Sequence, residues 1–167
     1  MSIIIKGNSA ANGGSSKGVG PGEVRILSKI GINNAVYIKF SDPDKIVVNG
    51  ATLSDWSYTI LVKNNDHIPL SDKDGDVILT NTVFNKYQFN HFKDANVSNG
   101  NTYYYRFFTY NTNKICNNNI SMGFSLTIIK TDSVLKNNSW KTISDASEAG
   151  IASSVWNIGD EIDIDIK

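Results

Sequence analysis

All-β is the fold class this sequence predicts, and three observations predict it. The first is residues 97–110, where an Asn99-Gly100 turn delivers the chain into a long aromatic strand. Val97 lies six positions before Tyr103, with turn chemistry between them. That is the pattern of a tyrosine corner leading into a central strand of an immunoglobulin-like sandwich. The second is a run of short alternating segments from residue 24 to about 130, broken by frequent turns. The third is that this range contains no convincing amphipathic helix.

The segments follow in order. Over residues 24–29, Val24, Ile26 and Ser28 alternate with Arg25, Leu27 and Lys29, giving a first strand. Residues 31–34 are turn material. Residues 35–40 give a second strand, with Val36, Ile38 and Phe40 on one face and Tyr37 and Lys39 on the other. Asp42-Pro43 ends it. Residues 56–62 form a third strand, with Trp56, Tyr58 and Ile60 sharing a face. A buried tryptophan early in the third long strand is a recurrent sandwich feature, so Trp56 is assigned a structural role. A turn at 71–76 precedes a short strand at 77–79. Residues 87–92 alternate Tyr87, Phe89 and His91 and read as another strand. The tyrosine-corner strand follows, then a turn at 111–119 and a last strand over about 120–129.

On the corner strand, Tyr103, Tyr105 and Phe107 are assigned inward, and the Tyr103 hydroxyl is expected to bond back to backbone between Val97 and Gly100. Tyr103 and Gly100 are therefore structural residues. Tyr104, Phe108 and Tyr110 fall on the other face and are expected to be partly exposed. Such aromatics mark either a partner contact or a face covered by a neighbouring domain.

Two segments flank this unit. Residues 1–22 are rich in Gly, Ser and Asn and cannot build a core. They are either a floppy terminus or an attachment arm. In the second case Ile3, Ile4 and Ile5, with Lys6 after them, would add a strand to a neighbour's exposed sheet edge. Residues 131–167 begin as polar linker. Ser139 can cap a helix starting at Trp140, Ile143 and Ala146 or Ala149 recur at helical spacing, and Gly150 is a natural stop. A turn at 157–160 leads to a strictly alternating strand at 162–167. A helix and one strand cannot bury two tryptophans and several isoleucines alone. This part packs on the sandwich or a partner, or opens a longer protein; the last is the expectation adopted.

Composition narrows the function classes. The chain has 167 residues, 40% apolar content and a formal net charge of zero. That supports a packed core and provides no electrostatic footprint for a nucleic-acid backbone. No apolar run reaches the length of a membrane span. The expected partners therefore include neither nucleic acid nor membrane.

Catalysis finds little in the residue pattern, and no catalytic residue, cofactor or metal ligand is assigned. His67 and His91 are the only histidines, and neither sits in a motif. Cys116 stands alone beside a run of asparagines and reads as a bystander. Asp72, Asp74 and Asp76, with Asp66 nearby, imitate half of a calcium loop. The glycine is misplaced and no bidentate glutamate follows, so an acidic turn is preferred. Asp160, Asp163 and Asp165 fall on an alternating segment and read as a solvent face.

Several motifs resemble those of one family. The His67-Ile68-Pro69 turn followed by Asp74-Gly75-Asp76-Val77-Ile78-Leu79 is similar to the proline, Asp-Gly and apolar-strand pattern of a fibronectin type III-like domain in tail proteins of Firmicutes phages and phage-tail-like bacteriocins. Phe92-Lys93-Asp94-Ala95-Asn96-Val97-Ser98-Asn99-Gly100 and then Thr102-Tyr103-Tyr104-Tyr105 resembles that group's most distinctive motif. The opening Ile5-Lys6-Gly7-Asn8-Ser9 and its glycine tract resemble their N-termini. Residues 139–160 look like the start of a downstream domain of unknown function.

The resemblance implies a layout: residues 1–22 as arm, 23–130 as fibronectin type III-like β-sandwich, and 131–167 as linker, short helix and strand. It implies a non-enzymatic virion structural protein of the tail fibre or baseplate, made in the bacterial cytoplasm and present in several copies on the particle, with a homo-oligomer as one arrangement of them. Its partners would be other virion proteins and a host cell-surface glycan. The alternatives are a capsid or tail decoration protein, and a carbohydrate-binding module of a cell-wall-acting protein in which Tyr104, Phe108 and Tyr110 stack on sugar rings.

Overall fold

The computed structural model describes residues 20–117, 119–157 and 159–161. Strand β1 (Arg25–Ile32) turns back into β2 (Ala35–Ser41) through Asn33 and Asn34, whose φ angles are 49° and 57°. Two consecutive left-handed residues make the two-residue hairpin turn whose twist matches its strands, and asparagine tolerates that conformation. The expected turn at 31–34 therefore shrinks to two residues, and β1 runs three residues past its expected end at Lys29. A second hairpin, β3 (Ile46–Val48) and β4 (Ala51–Ser54), turns at Asn49-Gly50 and was not anticipated.

Next come β5 (Trp56–Asn64) and β6 (Asp76–Asn81). The strand expected at 87–92 is replaced by turns, and only β7 (Phe92–Asp94) is extended there. Tyr87 nevertheless reaches the core, its ring 5.4 Å from that of Phe40. The corner strand is β8 (Thr102–Asn111), followed by β9 (Cys116–Asn117), a single 3-10 turn (Ile120–Met122) and β10 (Gly123–Thr127).

Two sheets enclose the main core. One has the order β1-β2-β7; the other has β10-β8-β5-β6, with β9 also on β8. Val36, Ile38 and Phe40 from the first sheet meet Leu61, Tyr105, Phe107 and Phe124 from the second. Among the described residues no helix is long and apolar enough to cross a membrane.

Both sheets are covered on their outer faces as well. On the larger sheet, Arg106 donates from Nη1 to the Pro69 and Leu70 carbonyls at 2.9 and 3.3 Å, which ties the β5–β6 loop to the sheet, where Gly75 lies against Val62; the same guanidinium sits over the Phe108 ring. On the smaller sheet, Ile30, Ile32, Ala35 and Tyr37 form a second apolar cluster with Ala146 and Trp156 of the C-terminal segment. That segment holds helices α1 (Trp140–Glu148) and α2 (Ala152–Val155). Ser139 caps α1, its hydroxyl accepting from the Thr142 amide at 3.1 Å, and Gly150 takes φ of 74° just past the end. Trp140 is 59% exposed, so the helix turns Ala146 inward rather than its tryptophan. The described part of this segment packs on the smaller sheet; the strand expected at 162–167 lies outside the described residues.

Two glycines separate conformational from steric demands. Gly75 has φ of 135°, and a Cβ there would sit 2.2 Å from the Lys63 carbonyl oxygen, backbone that cannot give way. Gly100 has φ of 83° with open space around it. Gly75→Ala is expected to destabilise by about 3 kcal/mol and Gly100→Ala by about 1 kcal/mol. Urea denaturation of the two variants, followed by far-UV circular dichroism, checks the ordering.

Candidate functional site

Asp42 follows β2 directly and is almost wholly buried. A buried carboxylate requires donors, and four groups supply them or extend the network. Thr59 on β5 donates its hydroxyl to Oδ1 at 2.6 Å. Asn81, at the end of β6, donates to Oδ2 at 2.9 Å, and the Asn85 amide donates to the same oxygen at 2.8 Å. The Asp42 amide returns a bond to the Asn85 side chain at 2.8 Å. Burial pushes the Asp42 pKa up, and the bonds from Thr59, Asn85 and Asn81 oppose that.

This network positions two aromatic rings. The Trp56 indole N–H donates to the Thr59 hydroxyl oxygen at 2.8 Å, fixing the ring to Asp42 through one intermediary. Asn81 also accepts from the Val83 amide at 3.2 Å, which with Asn85 holds the loop bearing Phe84. The Trp56 and Phe84 rings meet edge to face, centroids 5.4 Å apart at 62°. They line an open cleft of about 390 Å³ with Pro43, Asp44, Lys45 and Asp55. Phe84 is 47% exposed.

A larger and more polar cleft of about 900 Å³ lies at the other end of β5, with Asn65, Asn96, Asn101 and Tyr103 in its lining. Its floor is ionic. The Lys63 ammonium lies 3.0 Å from Asp94, donates to the Asn96 carbonyl at 2.8 Å, and is nearly buried. The Tyr105 hydroxyl donates to the same Asp94 oxygen at 3.1 Å; burial and that carboxylate push its pKa up.

The residues singled out from sequence are scattered rather than gathered. Tyr103 accepts at its hydroxyl from the Ser98 amide at 3.0 Å, and Val97 is buried in the core beneath it. Gly100 donates its amide to the Ile128 carbonyl at 2.8 Å. Trp56 requires a correction: it is half-buried and belongs to neither apolar cluster, because the pairing of β5 with β8 slips between Trp56 and Tyr58. Trp156 is the buried tryptophan.

Phe108 requires a second correction, being 1% exposed, with the Arg106 guanidinium 4.9 Å from its ring centroid. Tyr110 is half-buried, stacks on Tyr58 at 4.6 Å and donates to Asp72 at 2.6 Å. Tyr104 is half-buried. The three do not form an open aromatic platform. Ile3, Ile4, Ile5 and Lys6 lie outside the described residues, as do Asp163 and Asp165.

The acidic turn divides its carboxylates among different partners. Asp72 takes Tyr110, Asp76 is exposed on β6, and Asp74 accepts from the Leu70 amide at 2.6 Å and faces His67 at 3.0 Å. The Leu70 bond and then His67 hold the Asp74 pKa below its ordinary value. Among the described residues, no group of three or more His, Cys, Asp or Glu side chains could hold a metal ion. His91 sits edge-on to Tyr37 at 5.9 Å, its Nε2 buried without a partner, and burial followed by Lys39 pushes its pKa down. Burial pushes the Cys116 thiol up, away from the nucleophilic thiolate.

No protein-family model matches this chain, and no curated protein matches it.

Sequence reasoning passed over Asp42 and Phe84. The Asp42-Pro43 turn flagged the position, but the partners lie 17, 39 and 43 residues away and carry no local signal. Asp42→Ala leaves the donors of Thr59, Asn81 and Asn85 unpaired and is expected to cost about 2–4 kcal/mol. The pH dependence follows from the raised pKa. Above the folded-state value the full burial penalty acts; as pH falls from there to 3.8 the folded protein takes up its proton first, and this group's contribution to stability rises. Asp42→Asn should remove that acid-side gain, seen by comparing urea midpoints of the two proteins across the acid range.

Proposed function

We propose that this chain is a non-enzymatic structural component of a phage or phage-tail-like particle, acting in the tail fibre or baseplate. The observation that carries the reading is the corner at Tyr103, with Val97 in the core and the Ser98 amide on its hydroxyl, inside the motif that resembles the tail-protein family. Sheet order supports it. Strands 1, 2 and 7 facing strands 10, 8, 5 and 6 is the grouping that a fibronectin type III-like sandwich would have, with β5 and β8 as the central pair. Fold by itself carries no function, so the motifs bear the weight.

Function here means docking. The arm, through Ile3 to Ile5, attaches to another virion protein by strand addition, and the sandwich serves as spacer or adhesion module toward a host glycan. Several copies on one particle give avidity to a weak single-site contact. A capsid or tail-tube decoration role differs only in where the arm docks.

The test is co-sedimentation. Tagged full-length chain and a version lacking residues 1–22 are expressed during particle production, and particles are purified on a gradient. The full chain is expected to travel with particles and the truncated chain to stay behind. Absence of both from the particle band sinks the virion reading.

A further inference from the structure

The protein has 3 Trp, 7 Tyr and 7 Phe rings. Five of them carry a cation supplied by the chain itself: Lys29 lies 5.0 Å from the Phe124 centroid, Lys63 5.5 Å from Tyr103, Lys86 5.2 Å from Tyr87, Lys93 5.5 Å from Tyr37, and Arg106 4.9 Å from Phe108. Among the described residues, neither Trp56 nor Phe84 has such a cation. Yet tryptophan is the side chain with the strongest attraction for one. Asp44 and Asp55 join these two rings in lining the cleft, together with a single lysine, Lys45.

We propose that the Trp56–Phe84 cleft binds a quaternary or methylated ammonium group. Three features of the cleft select that chemistry. An aromatic face with adjacent carboxylates attracts a positive charge, and a methylated ammonium sheds its water onto an aromatic face more readily than a strongly hydrated lysine ammonium does. A hard metal cation is disfavoured, because it needs six or more oxygens and the wall is mostly apolar. The volume of about 390 Å³ sits near the lower end for ligand pockets and suits a compact group.

Preorganisation adds to this. The Trp56 ring is held through Thr59 to Asp42, and the Phe84 loop is held through Asn85 to the same carboxylate, so both walls stand ready before a ligand arrives. Asp55 accepts a hydroxyl bond from Thr112 at 3.2 Å, which fixes one of the two carboxylates at the rim.

The probe is choline, titrated into the full chain and read by saturation transfer to its methyl protons and by the shift of the Trp56 indole N–H. Dimethylbutanol, the uncharged isostere, is the control. Saturable choline binding with a Kd of about 1–10 mM is expected, with the isostere at least about tenfold weaker. Trp56→Leu should weaken choline by about tenfold. Phe84→Ala and the pair Asp44→Asn with Asp55→Asn should each weaken it severalfold. Trp56→Phe keeps an aromatic ring at this position and should retain part of the affinity, which separates loss of the ring from loss of the fold; Trp140→Phe should change nothing. A parallel arm offers vesicles of phosphatidylcholine. Binding of free choline alone assigns a small solute, and binding of vesicles as well assigns a surface-borne headgroup. Equal binding of the isostere, indifference to Trp56→Leu, or no saturable signal at choline concentrations about tenfold above the expected Kd overturns the proposal.

Discussion

One buried carboxylate constrains much of this molecule. Asp42 joins the end of β2 to β5, to the end of β6 and to the loop after it, so elements from both sheets meet at a single charged group. Burying that charge is unfavourable, as its raised pKa indicates, and only the complete set of donors makes the site tolerable. The same donors dictate local conformation: Asn85 holds φ of 54° while it exchanges two bonds with Asp42. The aromatic cleft is a consequence of this junction, since both its rings hang from residues bonded to Asp42 or one step away.

A second junction closes the other end of the core. Lys63 and Asp94 are both nearly buried, and Tyr105 and the Asn96 carbonyl complete their hydrogen bonding. An ion pair of this kind contributes little net stability, because desolvation offsets the Coulomb attraction. Its effect is geometric: it links β5 to β7 across the two sheets, directly beneath the Tyr103 corner. The apolar core between the two junctions then has little freedom in how the sheets are stacked.

Coverage of both outer faces explains where strand periodicity misled. An antiparallel sheet with one wet face gives clean alternation of apolar and polar residues. Here the larger sheet is covered by the β5–β6 loop and the smaller by the C-terminal helices, so alternate positions are buried too. Phe108 and Tyr37 are the cases in point, each facing away from the main core and still buried. Arg106 is buried with them because its guanidinium meets the Pro69 and Leu70 carbonyls. The reading of 87–92 as a strand failed because turns send Tyr87 inward and leave Phe89 80% exposed, on opposite sides although a strand would place them on one face.

What the sequence determined by itself was local. Turn residues, the Tyr103 corner, the Ser139 cap, the Gly150 stop and the alternation in β2 each depend on chemistry within a few positions, and each could be read directly. Tertiary structure decided the rest. It buried Trp156 rather than Trp56, removed Phe108 from the surface, and brought the rings of Trp56 and Phe84 together across the sequence. Those outcomes rest on partners such as Asp42 with Asn85, whose separation in sequence leaves no pattern behind; only the folded chain brings their donors and acceptors within bonding distance.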